Sequence, residues 1–329
     1  MDSYTAVRVY GGGHVIAYNY VANFHDGIDV ETYGNPDGIT PDPTAARGPW
    51  YPPLKSWRLR PVAIDYYNNY MTNFHDNAFE IDGSMHNIRV MRNVMLNSAS
   101  HPMCNQPAIG GPIYWIRNII YHAPGGSTRT SNGAPGMIFL NNTILSETTI
   151  RTTSNSHWMN NLILGENSSP EIFSVNTYTN YTSSDYNGFR VNPGAAESFE
   201  WDSPPWGVAQ DFRDLLAAEP GVQTPPDKYL VTRRYATLVQ YSSDTHQDTH
   251  SVILDYDVFE HVPMLNAKDM NTVQKLSDLK DLDFRLRPGS AAVDRGAFIP
   301  NVTDGYTGNA PDLGALELGQ PVPHYGPRS

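Results

Sequence analysis

Two stretches of this chain are near-copies of each other: Tyr18-Asn19-Tyr20-Val21-Ala22-Asn23-Phe24-His25-Asp26 and Asn68-Asn69-Tyr70-Met71-Thr72-Asn73-Phe74-His75-Asp76. The copies are 50 residues apart, and weaker ones follow in which an asparagine again precedes a short apolar run. The aligned asparagines are Asn19, Asn69, Asn93, Asn118, Asn142, Asn161 and Asn187. After the first step of 50 they are separated by 24, 25, 24, 19 and 26 residues, which is a period near 24.

This period predicts a coil in which each repeat is one turn made of short strands and bends. Asparagine tolerates the left-handed backbone that a tight bend needs. Its side-chain amide can also bond the asparagine of the next turn, so that stacked copies form a ladder. Neighbouring turns then pair their strands in parallel, about 4.8 Å apart. The leucine spacing of leucine-rich repeats is absent, and a propeller needs a longer period.

These repeats resemble the right-handed parallel β-helix of the pectate-lyase-like superfamily over residues 5–190. The runs Asp283–Gly296 and Ala310–Glu317 resemble the tail that closes many secreted bacterial β-helix proteins. The predicted fold is all-β: a single-stranded right-handed parallel β-helix with an asparagine ladder, and an irregular C-terminal α/β extension packed on it. The resemblance implies sugar polymers as substrates and an extracellular or periplasmic location, although Met1-Asp2-Ser3-Tyr4 does not begin a signal peptide.

A change in composition near residue 192 divides the chain. Residues 1–192 contain 23 asparagines and the rest of the chain contains 4. We therefore expect the β-helix in residues 1–192, with an insertion loop at 34–60 between the first two copies. Residues 193–329 form the extension, with short helices near 208–218 and 235–241 and the closing tail.

Composition excludes several functional classes. The 329 residues carry 22 Lys and Arg against 34 Asp and Glu, a net charge of −12, so a nucleic-acid partner is not expected. No apolar run reaches the roughly 18 residues that a membrane span needs. The single cysteine, Cys104, cannot form an internal disulfide or a thiolate zinc site.

Four carboxylates mark the candidate site. The strands 27–31 and 78–82 alternate strictly, so that Ile28, Val30, Phe79 and Ile81 face inward. The outward residues are then Asp29, Glu31, Glu80 and Asp82. In this register Asp29 lies beside Glu80 and Glu31 lies beside Asp82. Gln106 continues one of these columns on the next strand, and Arg129 lies near the other.

Adjacent carboxylates separate an acid role from a base role, because like charges about 5 Å apart raise the pKa of one of them. Glycoside hydrolysis needs such a pair, in either a retaining or an inverting geometry, and the sequence leaves both open. We expect Glu80 to be the acid or nucleophile, with Asp82 or Asp29 as its partner. His75, beside Asp76, is expected to tune or relay a proton. No cofactor is required by this chemistry.

Further residues are expected to bind the carbohydrate. These are Gln106, Arg129, Glu31, His101 and, from the insertion loop, Trp50 and Trp57, whose rings can stack on sugars. Packing of the two tryptophans onto the coil is an equal alternative.

Two other functions remain open. The carboxylates Asp29, Glu31, Glu80 and Asp82 could hold Ca²⁺, a hard cation that takes oxygen ligands. That would favour a calcium-dependent polysaccharide lyase with an arginine or histidine base, and Arg129 is the best-placed arginine because no lysine lies between residues 56 and 227. The third possibility is a non-catalytic β-helix that binds glycans or builds a surface.

Overall fold

The computed structural model describes residues 4–9, 11–30, 61–106, 108, 110–130, 134–207 and 230–328. The insertion loop at 34–60, the predicted helix at 208–218, and the candidate residues Glu31, Trp50 and Trp57 lie outside these ranges. Within the described residues, no helix has the length and apolar character that crossing a bilayer would require.

Short strands account for most of the regular structure. In chain order they are β1 Thr5–Arg8, β2 Val15–Ala17, β3 Tyr20–Phe24, β4 Asp26–Asp29, β5 Val62–Tyr67, β6 Tyr70–Phe74, β7 Phe79–Glu80, β8 His86–Met91, β9 Val94–Ser98, β10 Met103–Asn105, β11 Ile113–Ile116, β12 Ile119–Tyr121, β13 Thr128–Thr130, β14 Ala134–Pro135, β15 Met137–Leu140, β16 Thr143–Leu145, β17 Thr148–Ser154, β18 His157–Met159, β19 Leu162–Leu164, β20 Phe173–Thr177, β21 Ser183–Asp185, β22 Gly188–Arg190, β23 Phe199–Ser203, β24 Val231–Tyr235, β25 Val252–Ile253, β26 Phe259–His261 and β27 Asp283–Leu286.

Four stacked sheets build a parallel β-solenoid. The sheet that carries the candidate site, here called the site sheet, has the order β1-β4-β7-β10-β13. A second sheet runs β2-β5-β8-β11-β15-β18-β21, and a third runs β3-β6-β9-β12-β16-β19-β22-β25. The fourth, β14-β17-β20-β23-β24, is parallel except at its last pair, and β26 and β27 form a separate antiparallel pair. The predicted parallel coil is confirmed, and its strands are short because a bend follows every few residues.

The asparagine ladder is present and buried. Asn93, which is fully buried, shows the repeating unit: its Nδ2 and its backbone N–H both donate to Asn118 Oδ1, each at 3.1 Å. A second Nδ2 bond goes to the carbonyl of Tyr66 at 3.0 Å. The same bonds join each ladder asparagine to the next, from Asn19 to Asn187. The ladder therefore pairs amide groups that the bends would otherwise bury without partners.

One detail of the ladder differs from the expectation. The left-handed backbone belongs to the residue before each ladder asparagine and not to that asparagine. The seven preceding residues have φ between 51° and 60°; they are Tyr18, Asn68, Arg92, Arg117, Asn141, Asn160 and Tyr186. Each ladder asparagine must aim its own N–H and its side chain at the next turn, so the bend falls one residue earlier.

The interior of the coil is filled by stacked aromatic rings. Phe139 lies flat on Trp158, with ring centroids 3.7 Å apart, and Phe79, Trp115 and Phe173 continue the column of contacts. These side chains are at most 1 % exposed. Such contacts add to the burial of apolar area, which is the main stabilising contribution in the fold.

The C-terminal extension covers the outer face of the third sheet. Leu96, Ile119, Leu162 and neighbouring apolar residues of that face form a second core with Phe284, Leu313 and other residues of the extension. Gly314 adopts φ 88°, and a Cβ there would lie 2.7 Å from Leu162, so the close approach of the tail depends on glycine.

The extension has two short helices, α1 Leu238–Thr245 and α2 Met270–Val273, and two 3₁₀ turns, Tyr256–Val258 and Leu279–Asp281. Of the two helices, α1 lies near a predicted one, whereas α2 was not predicted. The helix predicted near 235–241 begins later, because Val231–Tyr235 pairs as β24 with β23 and the Thr237 side chain caps the helix start. The boundary at 192 stays a prediction; β23 and β25 beyond it continue the fourth and third sheets.

Candidate functional site

Five outward side chains follow one another across the site sheet. Strand registers place Arg8 beside Asp29, Asp29 beside Glu80, Glu80 beside Cys104, and Cys104 beside Arg129. We call this row the site column. The predicted pairing of Asp29 with Glu80 and the position of Arg129 at the same row are confirmed, because parallel strands of constant step bring equivalent positions together.

The acidic residues of the site do not form the open surface that was expected. Asp29 is fully buried and Asp82 is 2 % exposed, whereas Glu80 is half-buried. Alternation along a strand gives the direction of a side chain but not whether other parts of the chain cover it. Asp29 and Asp82 are therefore covered, and Glu80 is the member of the three that reaches solvent.

Burial changes the charge of the site. Burial, and after it the neighbouring Asp82, raises the pKa of Glu80 to about 9. Burial also raises the pKa of Asp82 to about 8, although the Gln106 backbone amide and the Cys104 thiol bond its carboxyl group and act in the opposite direction. Both groups are therefore protonated at neutral pH, which removes most of the repulsion that four charged carboxylates would create.

Asp29 has a different environment. The Nε and Nη2 atoms of Arg8 donate to Asp29 Oδ2 at 3.3 and 3.1 Å. Arg8 therefore supplies the counter-charge for the buried carboxylate. The two neighbours Asp29 and Glu80 thus differ in their surroundings, one paired with a cation and the other desolvated beside further carboxyl groups.

Asp82 is hydrogen-bonded by Cys104 on β10 and by Gln106, the residue that follows β10. The Gln106 backbone N–H donates to Asp82 Oδ1 at 2.5 Å, and the Cys104 thiol lies 3.4 Å from the same oxygen. The thiol also lies 3.7 Å from Gln106 Oε1. Gln106, predicted to bind substrate, is joined to Asp82 by these contacts, and its column position beside Asp82 is confirmed.

The remaining candidates lie at one end of the site. Arg129 is about half exposed, and its Nη1 is 3.6 Å from Asp76 Oδ2. His101 is half-buried, and burial, followed by the charge of Arg129, lowers its pKa, so its ring is neutral at pH 7. His75 is exposed and lies against the ring of His25 at 4.7 Å; among the described residues no hydrogen bond joins it to Glu80.

Two members of the site column were missed in the sequence. Cys104 occupies the position equivalent to Glu80 on the next turn, two residues before Gln106, but no sequence motif around it indicated a role in the site. Arg8 follows Val7, which pairs with Ile28, so the alternation of β1 would have shown it. Burial raises the pKa of the Cys104 thiol well above its usual value, so this thiol is not a nucleophile.

The described carboxylates do not fit a calcium site. Arg8 occupies Asp29 Oδ2, and a backbone amide and a thiol occupy Asp82 Oδ1. Ca²⁺ takes six to eight oxygen ligands and no thiol or guanidinium neighbours. Calcium bound at Asp29, Glu80 and Asp82 therefore has no part in the reaction proposed below.

A second buried carboxyl pair, Glu147 and Glu166, lies at bends beyond β16 and β19. Glu147 accepts hydrogen bonds from the backbone amides of Glu166 and Ser168 at 3.1 and 3.0 Å, and from the side chains of Ser168 and Asn192. Burial, then the charge of Glu147, raises the pKa of Glu166 to about 8. These bonds give the pair a structural role in closing the bends.

Two cavities lie elsewhere in the described part of the chain. One of about 510 Å³ is lined by Asp255, Asp257, Arg287, Ser290 and their neighbours. One of about 580 Å³ is lined by Arg89, Met91, Tyr114, Val302 and others. Neither includes a member of the site column.

No protein-family model, curated protein or solved structure matches this chain in the comparisons made. The strand registers and the asparagine ladder therefore establish the parallel β-solenoid, and the geometry of the site is the basis for a proposed function.

Proposed function

We propose that this protein is a carbohydrate-active enzyme of the pectate-lyase-like superfamily that cleaves glycosidic bonds by hydrolysis, with Glu80 as the general acid. The single observation that carries the proposal is the pair Asp29 and Glu80 on adjacent strands, with a guanidinium at the first and a raised pKa at the second. Glycoside hydrolysis uses two carboxyl groups in such different states.

Glu80 has the properties of a proton donor. It is protonated at neutral pH and partly accessible, so it can give a proton to a glycosidic oxygen placed over the site column. Asp29 is buried and cannot attack a sugar carbon directly. It instead stabilises the positive charge that develops on the sugar ring as the bond to the leaving oxygen breaks. Water then adds to the ring carbon and gives a proton back to Glu80, which restores the acid.

Arg129 and His101 are the best-placed groups to bind the sugar. Arg129 is partly exposed at the end of the site column, and its contact with Asp76 is too long for a strong hydrogen bond. His101 has a lowered pKa, so its neutral ring can both donate and accept a hydrogen bond. The hydrogen bond from the Gln106 backbone N–H to Asp82 holds these two residues together in the same site.

A polysaccharide lyase is the second candidate, because Arg129 is an exposed cation in the same row as Glu80. The two reactions have different products. A panel of neutral and acidic polysaccharides, incubated with the full chain, should show new reducing ends without the near-ultraviolet absorbance of an unsaturated sugar. Formation of the unsaturated product would replace the hydrolase by the lyase, and binding without any cleavage would leave only a glycan-binding role.

The proposed superfamily membership also implies an extracellular or periplasmic location and a carbohydrate as the partner. We expect neither nucleic acid nor membrane to be a partner, in keeping with the net charge of −12.

A further inference from the structure

The His-Asp pair that ends each of the two best repeat copies is stacked in the solenoid. His25 and Asp26 follow β3, and His75 and Asp76 follow β6 on the next turn. The ring of His25 lies between two others: Tyr4 stacks on it with centroids 4.4 Å apart, and His75 lies 4.7 Å away. The stack fixes the plane of the His25 ring. The proposed hydrolysis uses neither pair.

Three ligand atoms converge at this place. His25 Nδ1 lies 2.9 Å from Asp26 Oδ2, and a carboxylate oxygen of Asp76 completes a group whose atoms all lie within 4.8 Å of one another. Two ligand atoms that bind one tetrahedral Zn²⁺ at 2.0 to 2.2 Å are about 3.4 Å apart, so His25 and Asp26 have to separate slightly to admit the ion. Asp76 has to move toward them, and its side chain is 26 % exposed.

A second observation concerns Asp76 itself. Its Oδ1 atom is buried and has no hydrogen-bond partner in the described part of the chain. Asp26 is almost completely buried, at 2 % side-chain exposure, and the ring of His25 faces one of its oxygens. A buried carboxylate oxygen without a partner costs free energy, and a bound cation would remove that cost.

We propose that His25, Asp26 and Asp76 bind a divalent ion of the late first transition row, represented by Zn²⁺. An imidazole nitrogen with two carboxylates suits Zn²⁺ and related ions, whereas Ca²⁺ and Mg²⁺ prefer oxygen ligands alone. Three protein ligands leave a position for water, and the partial exposure of His25 and Asp76 gives the ion access.

Arg129 is the group that opposes this binding. Its Nη1 is 3.6 Å from Asp76 Oδ2, and the ion takes the place of this contact.

The test is calorimetric titration of the chelator-treated full chain with ZnCl₂, and in parallel with CaCl₂, in the absence of any sugar. We expect one Zn²⁺ per chain and at least tenfold weaker binding of Ca²⁺. Asp26→Asn and Asp76→Asn should each weaken Zn²⁺ binding at least tenfold. Asparagine keeps the carbonyl oxygen that accepts the Asn77 N–H at Asp26, and thermal unfolding followed by circular dichroism verifies the fold.

The chain contains a matched control. His250 Nδ1 lies 2.7 Å from Asp185 Oδ2, and Tyr186 stacks on His250 at 4.5 Å, so this place repeats the Tyr-His-Asp arrangement. It lacks the third ligand among the described residues. Asp185→Asn should leave Zn²⁺ binding unchanged. Unchanged binding in Asp26→Asn and Asp76→Asn, equal loss in Asp185→Asn, or tighter Ca²⁺ than Zn²⁺ would each overturn the proposal, whatever the outcome for glycan cleavage.

Discussion

Glu80 is the residue on which the proposed chemistry depends. Replacement by glutamine removes the transferable proton and keeps the shape, so Glu80→Gln should lower the rate of glycan cleavage at least about 10²-fold. The exposed Glu260→Gln serves as the control and should retain the rate. Near-normal cleavage by Glu80→Gln would contradict the assignment.

The pH dependence of the reaction follows from the same residue. A general acid with a pKa of about 9 is active in its protonated form, so kcat/KM should be steady near neutral pH and fall above about pH 9. Steady-state kinetics between pH 6 and pH 10 measure this decrease in kcat/KM. A rate that rises across pH 9 would show that the deprotonated form is the active one.

Cys104 allows a simple test of how closed the site is. Its thiol is fully buried, and burial raises its pKa, so a thiol reagent should not react with it in the native protein. In denaturant the same reagent should titrate one thiol per chain. Rapid reaction of the native protein would mean that the middle of the site column is open to solvent.

At the scale of the element, the ladder predicts a large penalty for the loss of one asparagine. In Asn93→Ala, both donors of Asn69 that bond Asn93 Oδ1 lose their acceptor inside the protein. Unpaired buried donors cost about 1–3 kcal/mol each, so the free energy of unfolding should fall by about 2–6 kcal/mol. The exposed Asn271→Ala should change it by less than about 0.5 kcal/mol, as urea denaturation of both variants will show.

The sequence contained enough information for the coil, the ladder and the register of the acidic strands. The reason is that a parallel stack of constant step repeats one geometry, so the pairing of Asp29 with Glu80 follows once the asparagines are aligned. The burial of Asp29 and Asp82 could not be predicted in this way. Their partners, such as Arg8, come from neighbouring turns, and alternation along a strand does not show whether those partners cover the carboxyl groups.

The shift of the left-handed residue is a second instance of a feature that spacing alone did not reveal. Asparagine is a good residue for such a bend, yet Arg92 and Arg117 occupy it, at φ 51° and 53°. The ladder bonds outweigh the backbone cost of about 1–2 kcal/mol at each bend. At these two arginines the hydrogen bonds between turns outweigh the low intrinsic preference of arginine for a left-handed backbone.

For the whole molecule, buried carboxyl groups predict stability that falls as pH rises. The folded-state pKa values of Glu80, Asp82 and Glu166 are raised to between about 8 and 9, and that of Asp248 to about 6. The folded state therefore holds protons that the unfolded chain releases near pH 4. This contribution is fully present below pH 4 and is lost as pH rises through 6 to 9.

Thermal unfolding should show this dependence directly. We expect Tm to be lower at pH 8 than at pH 6 by at least about 5 °C. Glu166→Gln removes one of these proton-binding groups and should reduce the slope. A Tm that increases from pH 6 to pH 8 would be incompatible with several protonated buried carboxyl groups.

The central claim is that Glu80 holds a proton at neutral pH beside Asp29, which is paired with Arg8. Infrared difference spectra of the wild-type chain and Glu80→Gln, recorded from pH 5 to pH 10, detect the carbonyl band of that one protonated carboxyl group. The account predicts that the band is present at pH 7 and disappears with a midpoint near pH 9. A Glu80 band that is already absent at pH 7, with a midpoint near the ordinary value of 4 to 5, would contradict it.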